Sequence, residues 1–372
     1  MTRQTRSRSD GRIAAMRGSP FVRFAQPSMW SSDWAANGMF KTIAIVTPVL
    51  DDWVSFTTLL GEISDLFTGS DFTFCVYAVD DGSITPFDPD AVVLPKGSCI
   101  RSIEVIRLAV NLGHQRAVAV GLCEIADSTE IDAVLVMDSD GQDRPVDLAL
   151  LLATSLRHPK HVVLAKRARR SESYSFRFCY GVYKLLFYAL TGQPINFGNY
   201  CLLPMPAVRR LAHMPELWNN LAASIMRSRL AYTSVPTARG GRYAGVSKMN
   251  LVSLILHGLS AMSVHTDKIF VRILLAAGFV GGMVSLSIAA VAGIRTATDL
   301  AIPGWATTVA GDLLIILFQT LVIVVAATLT FLAGRSHRPF VPIFDCRQFV
   351  AHRERFPLLG RVGALAPDLA AE

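Results

Sequence analysis

The chain has few cysteines, and they do not form the pattern of a metal site or a disulfide framework. The six cysteines are scattered, with no C-x-x-C pair and no histidine at ligand spacing. We therefore expect reduced, mostly buried thiols in a cytosolic compartment. They are Cys75, Cys99, Cys123, Cys179, Cys201 and Cys346.

Glycine-rich phosphate loops are also absent. Neither G-x-G-x-x-G nor G-x-x-x-x-G-K-[S/T] occurs, which counts against dinucleotide binding and P-loop chemistry. The net charge of +7 suggests an anionic partner. However, the basic residues are not interleaved with an aromatic RNA-binding signature, so we expect no nucleic-acid partner. Much of the excess charge lies in the amino-terminal tail and beside apolar segments, which favours an anionic membrane surface.

Residues 1–40 lack sustained hydrophobic periodicity and the apolar core of a secretory signal. They carry six arginines against two aspartates, with serine, glycine and proline throughout. This composition predicts a disordered basic tail. Because no secretory signal is present, we expect the domain that follows to stay in the cytoplasm.

Two long apolar runs near the carboxyl end indicate a membrane protein. The chain is 51% hydrophobic, with a mean hydropathy of +0.39. Ile273–Ile294 and Leu313–Ala333 contain no charged residue, and each is long enough to cross roughly 30 Å of hydrocarbon. The segment 250–268 before them has apolar residues at helical spacing. It is predicted to lie along the membrane interface, with a packing helix of the soluble domain as the alternative.

The charges that flank these runs predict their orientation. Lys268 and Arg272 precede the first run, and Arg335 and Arg338 follow the second. By the positive-inside rule, the runs form a hairpin in the inner (cytoplasmic) membrane, with the soluble domain and both termini in the cytoplasm. The predicted boundaries are spans at 269–294 and 313–333, an extracytoplasmic loop at 295–312 and a cytoplasmic tail at 334–372.

Residues 41–249 alternate strand-like and helix-like segments, which predicts an α/β domain with a parallel sheet and helices on its faces. The predicted strands are Thr42–Pro48, Phe72–Val79, Ile103–Leu108, Ile131–Met137 and His161–Ala165. The predicted helices are Trp53–Phe67, His114–Ala126, one that starts near Pro145, and Tyr174–Leu190.

Acidic residues follow three of the predicted strands. The almost unbroken apolar run Ile131–Met137 is followed by Asp138 and Asp140. Asp80 and Asp81 follow a second predicted strand, and Asp51 and Asp52 follow the first. Open α/β sheets bind ligands at the carboxyl ends of their strands. Carboxylates together with phosphate oxygens suit Mg2+ or Mn2+, whereas a solvated acidic turn is the alternative for a bare D-x-D. Carboxylates also accept the N–H and O–H groups of a base and a ribose.

A set of motifs occurs in a characteristic order. These motifs are TPVLDD, VDDGS, NLGHQRAVAVGL, MDSDGQ, Arg167-x-x-Arg170 followed by Glu172-Ser173, GNYCLL, and Arg242-x-x-Gly245-x-Ser247-Lys248. The ordered set, followed by a membrane hairpin, resembles family 2 inverting glycosyltransferases with the GT-A fold. Within them it resembles the polyprenyl-phosphate sugar synthases, relatives of dolichol-phosphate mannose synthase and of the enzymes that glucosylate undecaprenyl phosphate. The resemblance covers Thr42 to about Ala333.

The resemblance implies a role for each matching residue. The nucleotide sugar, UDP- or GDP-linked, would be bound by Asp51, Asp80, Asp81 and Gln142. The Mg2+ or Mn2+ ion would be held by Asp138 and Asp140. The catalytic residues would be Asp140, Arg167, Arg170, Asn199 and Arg242, and the phosphate of the lipid would be bound by Ser173, Ser247 and Lys248.

The predicted reaction is transfer of a sugar to a polyprenyl phosphate at the cytoplasmic membrane face. Asn199 stands where the family usually has aspartate, so a catalytically silent scaffold or lipid-binding protein is one alternative. A glycosyltransferase with another membrane acceptor is a second. A processive polysaccharide synthase is a third, although its Q-x-x-R-W motif is absent. His114 is interpreted as a structural residue or phosphate neighbour rather than a general base. Glycines in the first span would permit a homo-oligomer.

Overall fold

The computed structural model of the chain describes residues 40–167, 174–192, 198–244, 251–298, 304–336 and 338–358. The chain divides into two compact units. Among the described residues, the first unit, which we call the sheet unit, comprises 40–167, 198–244, 251–257 and 340–358. The second, the helical unit, comprises 174–192, 258–298, 304–336 and 338–339. The predicted basic tail lies outside the described residues, except for Phe40.

The described residues form an α/β arrangement followed by two long apolar helices, as predicted. The strands are β1 (Thr42–Val49), β2 (Thr73–Asp80), β3 (Ile100–Leu108), β4 (Ala133–Val136), β5 (Val162–Arg167), β6 (Cys201–Pro204), β7 (Tyr232–Thr237) and β8 (Val350–Pro357). The helices are α1 (Trp53–Phe67), α2 (His114–Ala126), α3 (Pro145–Arg157), α4 (Tyr174–Thr191), α5 (Met205–Ala212), α6 (Leu221–Arg227), α7 (Leu251–Ser263), α8 (Thr266–Ala297), α9 (Trp305–Ser336) and α10 (Pro342–Asp345). Short 3-10 helices cover Pro89–Ala91, Pro215–Trp218 and Cys346–Phe349.

The strands form one mixed sheet in the order β7-β5-β6-β4-β1-β2-β3-β8. β4, β1, β2 and β3 are mutually parallel, but β6 and β8 run antiparallel to their neighbours. The predicted parallel arrangement therefore holds for the four central strands, and the sheet as a whole is mixed. β6 overlaps the last three residues of the GNYCLL motif and is only four residues long, so it carries little periodicity of its own. β8 lies within the segment predicted as a cytoplasmic tail.

The central strands are buried on both faces, which explains their unbroken apolar sequences. Successive strand residues point to opposite faces. Ala44 and Val46 of β1 accordingly pack in the core beneath α2 and α5. Ile43 and Ile45 pack in the opposite core, beneath α1 and α3. This double layer holds the carboxyl ends of β4, β1 and β2 in fixed register.

The segment after α9 is part of the sheet unit. Phe340 and Phe349 lie 4.3 and 5.3 Å from the Trp218 ring, measured between centroids. Cys346 is fully buried in the core beneath α2. In β8, Arg353 contacts Glu104 of β3 at 2.6 Å and Glu124 at 3.0 Å. The chain therefore returns from α9 to complete the edge of the sheet.

In the helical unit, α8 and α9 are both 32 residues long, and 18-residue stretches within them have mean hydropathies of 2.1 and 2.5. At 1.5 Å per residue, each is long enough to cross a bilayer. Almost none of their apolar surface is buried within the structure. The two helices contact each other through stacked rings of Phe270 and Phe331, with centroids 4.3 Å apart. Arg335 and Asp267 form an ion pair at 3.9 Å. By length and composition, both helices are candidate membrane spans.

Candidate active site

Three neighbouring parallel strands, β4, β1 and β2, end at the same edge of the sheet. Asp138 follows β4, Asp51 follows β1 and Asp80 ends β2. The Ser139 hydroxyl donates a hydrogen bond to the Pro48 carbonyl at 3.3 Å and so joins the ends of β4 and β1. This edge is the one at which the sequence predicts the nucleotide and the metal.

On the β1–β2 side, the side chains of Asp51 and Asp80 form hydrogen bonds within and beside the turn of residues 80–83. Asp51 has a φ of +48°, a left-handed conformation uncommon outside glycine. This conformation is held by two hydrogen bonds: its N–H donates to Ser83 Oγ at 2.9 Å, and its Oδ1 accepts from the Ile84 N–H at 2.8 Å. Asp80 is buried and accepts from the Ser83 N–H at 2.7 Å. Arg107 lies 3.8 Å from Asp80, a cation beside the site that the motifs did not reveal.

Both carboxylate oxygens of Asp81 are engaged by backbone groups of the chain. It is buried, and its two oxygens accept the backbone N–H groups of Leu112 and Gly113 at 2.7 and 3.0 Å. Burial raises the pKa of Asp81, while these two hydrogen bonds oppose the rise. Asp81 therefore orders the turn that starts α2 and positions His114, the first residue of that helix.

His114 lies between β4 and the GNYCLL segment. Its Nε2 accepts a 2.8 Å hydrogen bond from the Asn199 amide and lies 3.5 Å from Asp138 Oδ1. Desolvation at this edge lowers the pKa of His114, whereas the carboxylates of Asp143, Asp81 and Asp140 oppose that shift. Asn199, which the sequence placed in the catalytic set, therefore contacts His114.

The Asp138–Gln142 turn is held by hydrogen bonds from its backbone N–H groups to nearby carboxylate side chains. The Asp138 N–H donates to Asp143 Oδ2 at 3.1 Å, and the Gln142 N–H donates to Asp140 Oδ1 at 2.9 Å. Gly141 has a φ of +85°, which a residue with a side chain rarely adopts. The buried Asp143 was not singled out from the sequence, although it directly follows the MDSDGQ motif.

Residues 238–244, which we call the closing segment, lie against this turn. The Gly240 and Tyr243 N–H groups donate to the carbonyls of Gln142 and Asp140 at 2.9 and 3.0 Å. Arg239 Nε donates to the Gln142 side-chain oxygen at 3.1 Å. The Tyr243 hydroxyl donates to Glu62 of α1 at 2.8 Å. Arg239 and Tyr243 are site residues that the sequence reasoning missed, although both lie close to the predicted Arg242.

Gly240 allows the closing segment to approach the turn. A Cβ at this position would lie 2.0 Å from the Gly141 carbonyl oxygen, whereas a Cβ at Gly241 meets no atom within 4 Å. We therefore expect Gly240→Ala to detach the segment, and Gly241→Ala, the matched control, to leave it in place. Hydrogen exchange of residues 238–244 should rise roughly tenfold or more in Gly240→Ala only. Equal exchange in both variants would contradict the predicted packing.

Several predicted site residues cannot be placed. Arg170, Ser173, Ser247 and Lys248 lie outside the described residues, as does the side chain of Arg167, which ends β5. Arg242 is placed, and its guanidinium lies 2.7 Å from Asp140 Oδ2. The structure thus brings Asp138, Asp140, Gln142 and Arg242 together, with Asn199 one contact away through His114.

The acids after β4 fit a hard divalent cation. Asp138 and Asp140 supply carboxylate oxygens, and their side chains are 33% and 14% exposed, so a ligand can approach both. Across the described ranges, no group of three or more His, Cys, Asp or Glu side chains is placed to hold a metal. Two carboxylates leave most of the coordination shell to phosphate oxygens and water, which is the usual arrangement for Mg2+ bound with a phosphate substrate.

Comparisons with known proteins return solved structures only. No protein-family model matches the chain, and no curated protein sequence matches it. One similar structure is glucosyl-3-phosphoglycerate synthase from Mycobacterium tuberculosis with Mn2+ and UDP-glucose, with 12% identity and a TM-score of 0.43 over 68% of this chain and 83% of that one. Another is mannosyl-3-phosphoglycerate synthase from Rubrobacter xylanophilus, with 15% identity and a TM-score of 0.42 over 68% and 77%.

Proposed function

We propose that the protein is an inverting glycosyltransferase that moves a sugar from a UDP- or GDP-linked donor to a polyprenyl phosphate at the cytoplasmic membrane face. One observation carries the proposal. The parallel strands β4, β1 and β2 bring three sets of carboxylates to one edge, and Arg242 from the closing segment contacts Asp140 there. An activated sugar diphosphate requires acceptors for the nucleoside and cationic groups for the phosphates, and this edge supplies both.

Different residues at this edge bind the two ends of the donor. Asp51 and Asp80 bind the nucleoside, while Arg242 and Gln142 lie at the diphosphate end. Asp138 and Asp140 would hold Mg2+ or Mn2+. When bound, that cation supplies Lewis-acid stabilisation of the charge on the departing nucleoside diphosphate. Asp81 contributes by fixing the start of α2 rather than by contacting the donor.

The chemistry of a phosphate acceptor is compatible with asparagine, rather than aspartate, at position 199. A phosphate monoester carries about −1.5 to −2 charges at pH 7, so it attacks the anomeric carbon with little need of a base. Asn199 and His114 therefore position groups at the edge instead of removing a proton. Arg167 and Arg170 of the R-x-x-R motif are proposed to hold the lipid phosphate, because guanidinium groups bind phosphate in a bidentate manner.

The connectivity of the chain supports a membrane hairpin. The sheet unit precedes α8, and β8 after α9 pairs with β3 of the same sheet. A chain that leaves and rejoins one folded unit crosses a membrane an even number of times. The positive flanks of both apolar helices support a cytoplasmic position for the sheet unit. Binding both substrates at the membrane surface supplies much of the catalysis through proximity.

Replacing Asn199 with aspartate tests the acceptor chemistry. The new carboxylate would face His114 Nε2 and would raise the pKa of the imidazole. Because the proposed nucleophile is already ionised, we expect turnover to change by less than about tenfold. Sugar transfer to polyprenyl phosphate, measured with purified full-length protein, checks this. A gain of several orders of magnitude would show that this position requires a base and that the acceptor assignment is wrong.

The proposal as a whole is tested by nucleotide release. Purified protein is incubated with UDP- or GDP-sugars, Mn2+ and a polyprenyl phosphate. We expect nucleoside diphosphate to appear only when the lipid phosphate is present, together with a glycosylated lipid. Polyprenol without phosphate is the control. Release that depends on another membrane acceptor would favour a different glycosyltransferase, and absence of release with every donor would favour a silent scaffold.

A further inference from the structure

Both carboxylate oxygens of Asp140 are already engaged within the protein. Oδ1 accepts the Gln142 N–H at 2.9 Å, and Oδ2 lies 2.7 Å from Nη2 of Arg242. The Asp140 side chain is 14% exposed and that of Arg242 is 27% exposed, so the ion pair is partly shielded from water. A cation that binds Asp140 therefore meets a carboxylate whose charge is already neutralised.

Arg242 is held over this oxygen by its neighbours in the closing segment. Gly240 and Tyr243 flank it and donate backbone hydrogen bonds to the Asp138–Gln142 turn. Nε of Arg242 is buried, and it has no hydrogen-bond partner within the described part of the chain. A buried charged donor of this kind is normally satisfied by an acceptor. A phosphate oxygen of a bound ligand is an acceptor suited to a guanidinium group.

We propose that Arg242 occupies the cation site of the free protein and leaves Asp140 for the diphosphate when the donor binds. The inference rests on the proposed function, because it assumes that Asp140 is a metal ligand. Arg242 would thus have two alternative partners: the Asp140 carboxylate before binding and the donor phosphates afterwards. The exchange lowers the affinity of the site for a cation alone. It raises the affinity for a cation that binds together with a nucleoside diphosphate.

Electrostatics explains why the two states exclude each other. A guanidinium and a divalent cation on one carboxylate oxygen repel, and the repulsion is strong because the pair is partly buried. A diphosphate relieves it, since its oxygens bind the guanidinium and the cation together. Cation and nucleotide should therefore bind cooperatively, and by linkage each should raise the affinity of the other by the same factor.

Mn2+ binding to the full-length protein, followed by electron paramagnetic resonance, tests the exchange without any turnover. We expect wild-type protein to bind Mn2+ weakly alone and more tightly with UDP or GDP present. In Arg242→Gln, Mn2+ alone should bind about tenfold more tightly, the effect of removing one charge-assisted contact. The gain in Mn2+ affinity on adding nucleotide should shrink by a similar factor. Unchanged Mn2+ binding in this variant would overturn the proposal.

Arg239→Gln is the matched control. It removes the same charge from the same segment, but Arg239 contacts the amide oxygen of Gln142 rather than the metal ligand. Its Mn2+ affinity should change by less than about threefold, as expected for a screened surface charge. If both variants tighten Mn2+ binding equally, general electrostatics rather than direct competition is the cause, and the proposal is overturned. Arg242→Lys, which keeps the charge but loses the planar fork, should give an intermediate value.

Asp140→Asn separates this inference from the proposed function. If Asp140 is a metal ligand, this variant should lose Mn2+ binding both with and without nucleotide. Retained Mn2+ binding would remove the metal assignment and, with it, the exchange. Lost binding together with an unaffected Arg242→Gln would leave the metal assignment standing and overturn the exchange alone.

Discussion

Asp140→Ala is expected to abolish sugar transfer, with kcat/KM lowered on the order of a thousandfold or more. The substitution removes a proposed metal ligand and the partner of Arg242 in one step. It leaves a guanidinium without its carboxylate at the diphosphate end of the site. The measurement is transfer of sugar to polyprenyl phosphate by purified full-length protein in detergent, at saturating Mn2+.

Asp65→Ala is the matched control for this experiment. Asp65 is an exposed carboxylate near the carboxyl end of α1, away from the strand ends that form the site. Loss of this carboxylate should leave kcat/KM within about threefold, as is usual for surface substitutions away from a binding site. Turnover retained in Asp140→Ala would rule out the metal assignment, and equal losses in both variants would point to a general effect of removing charge.

Ending the chain at residue 337 is expected to unfold the sheet unit. The truncation removes β8, the two rings that contact Trp218, and the buried Ile343 and Cys346. Loss of these apolar contacts costs on the order of 10 kcal/mol, about the whole stability of a typical domain. It also leaves the buried Glu104 without Arg353, and an unpaired buried charge is strongly destabilising.

The control ends the chain at residue 358, immediately after β8, and should melt at the temperature of the full-length protein. Thermal unfolding in detergent and the yield of folded protein measure both truncations. A folded protein that ends at 337 with an unchanged melting temperature would show that residues 338–358 contribute nothing to the sheet unit. The prediction of a separate cytoplasmic tail would then describe these residues better than a strand of the sheet.

Some of the site was predictable because its signal is local. An apolar run that is buried on both faces reads as a strand wherever it lies, and the residue after it marks the strand end. Asp51, Asp80 and Asp138 follow such runs in the sequence, and all three lie at the ends of neighbouring parallel strands in the structure. The two long apolar helices were predictable for the same reason, because a run of about twenty uncharged apolar residues can be recognised from the sequence alone.

Other parts of the site depend on partners far along the chain. Asp81 appears in the sequence as one more acid of the VDDGS motif, but the structure places backbone N–H groups of Leu112 and Gly113 on both its oxygens. Arg239 and Tyr243 contact a turn about a hundred residues earlier, and no periodicity marks such contacts. The contact of Asn199 with His114 joins residues 85 positions apart. That contact gives Asn199 a partner that the sequence did not reveal.

The sequence by itself determined strands β1 to β5, which helices are apolar enough to cross a membrane, and which acids follow the strands, because these properties depend on residues next to each other. Only the tertiary structure decided which acids bind the protein's own backbone, which cation covers Asp140, and that the carboxyl-terminal segment completes the sheet. Those outcomes depend on hydrogen bonds and ion pairs between distant residues, whose formation is decided by packing rather than by any local pattern.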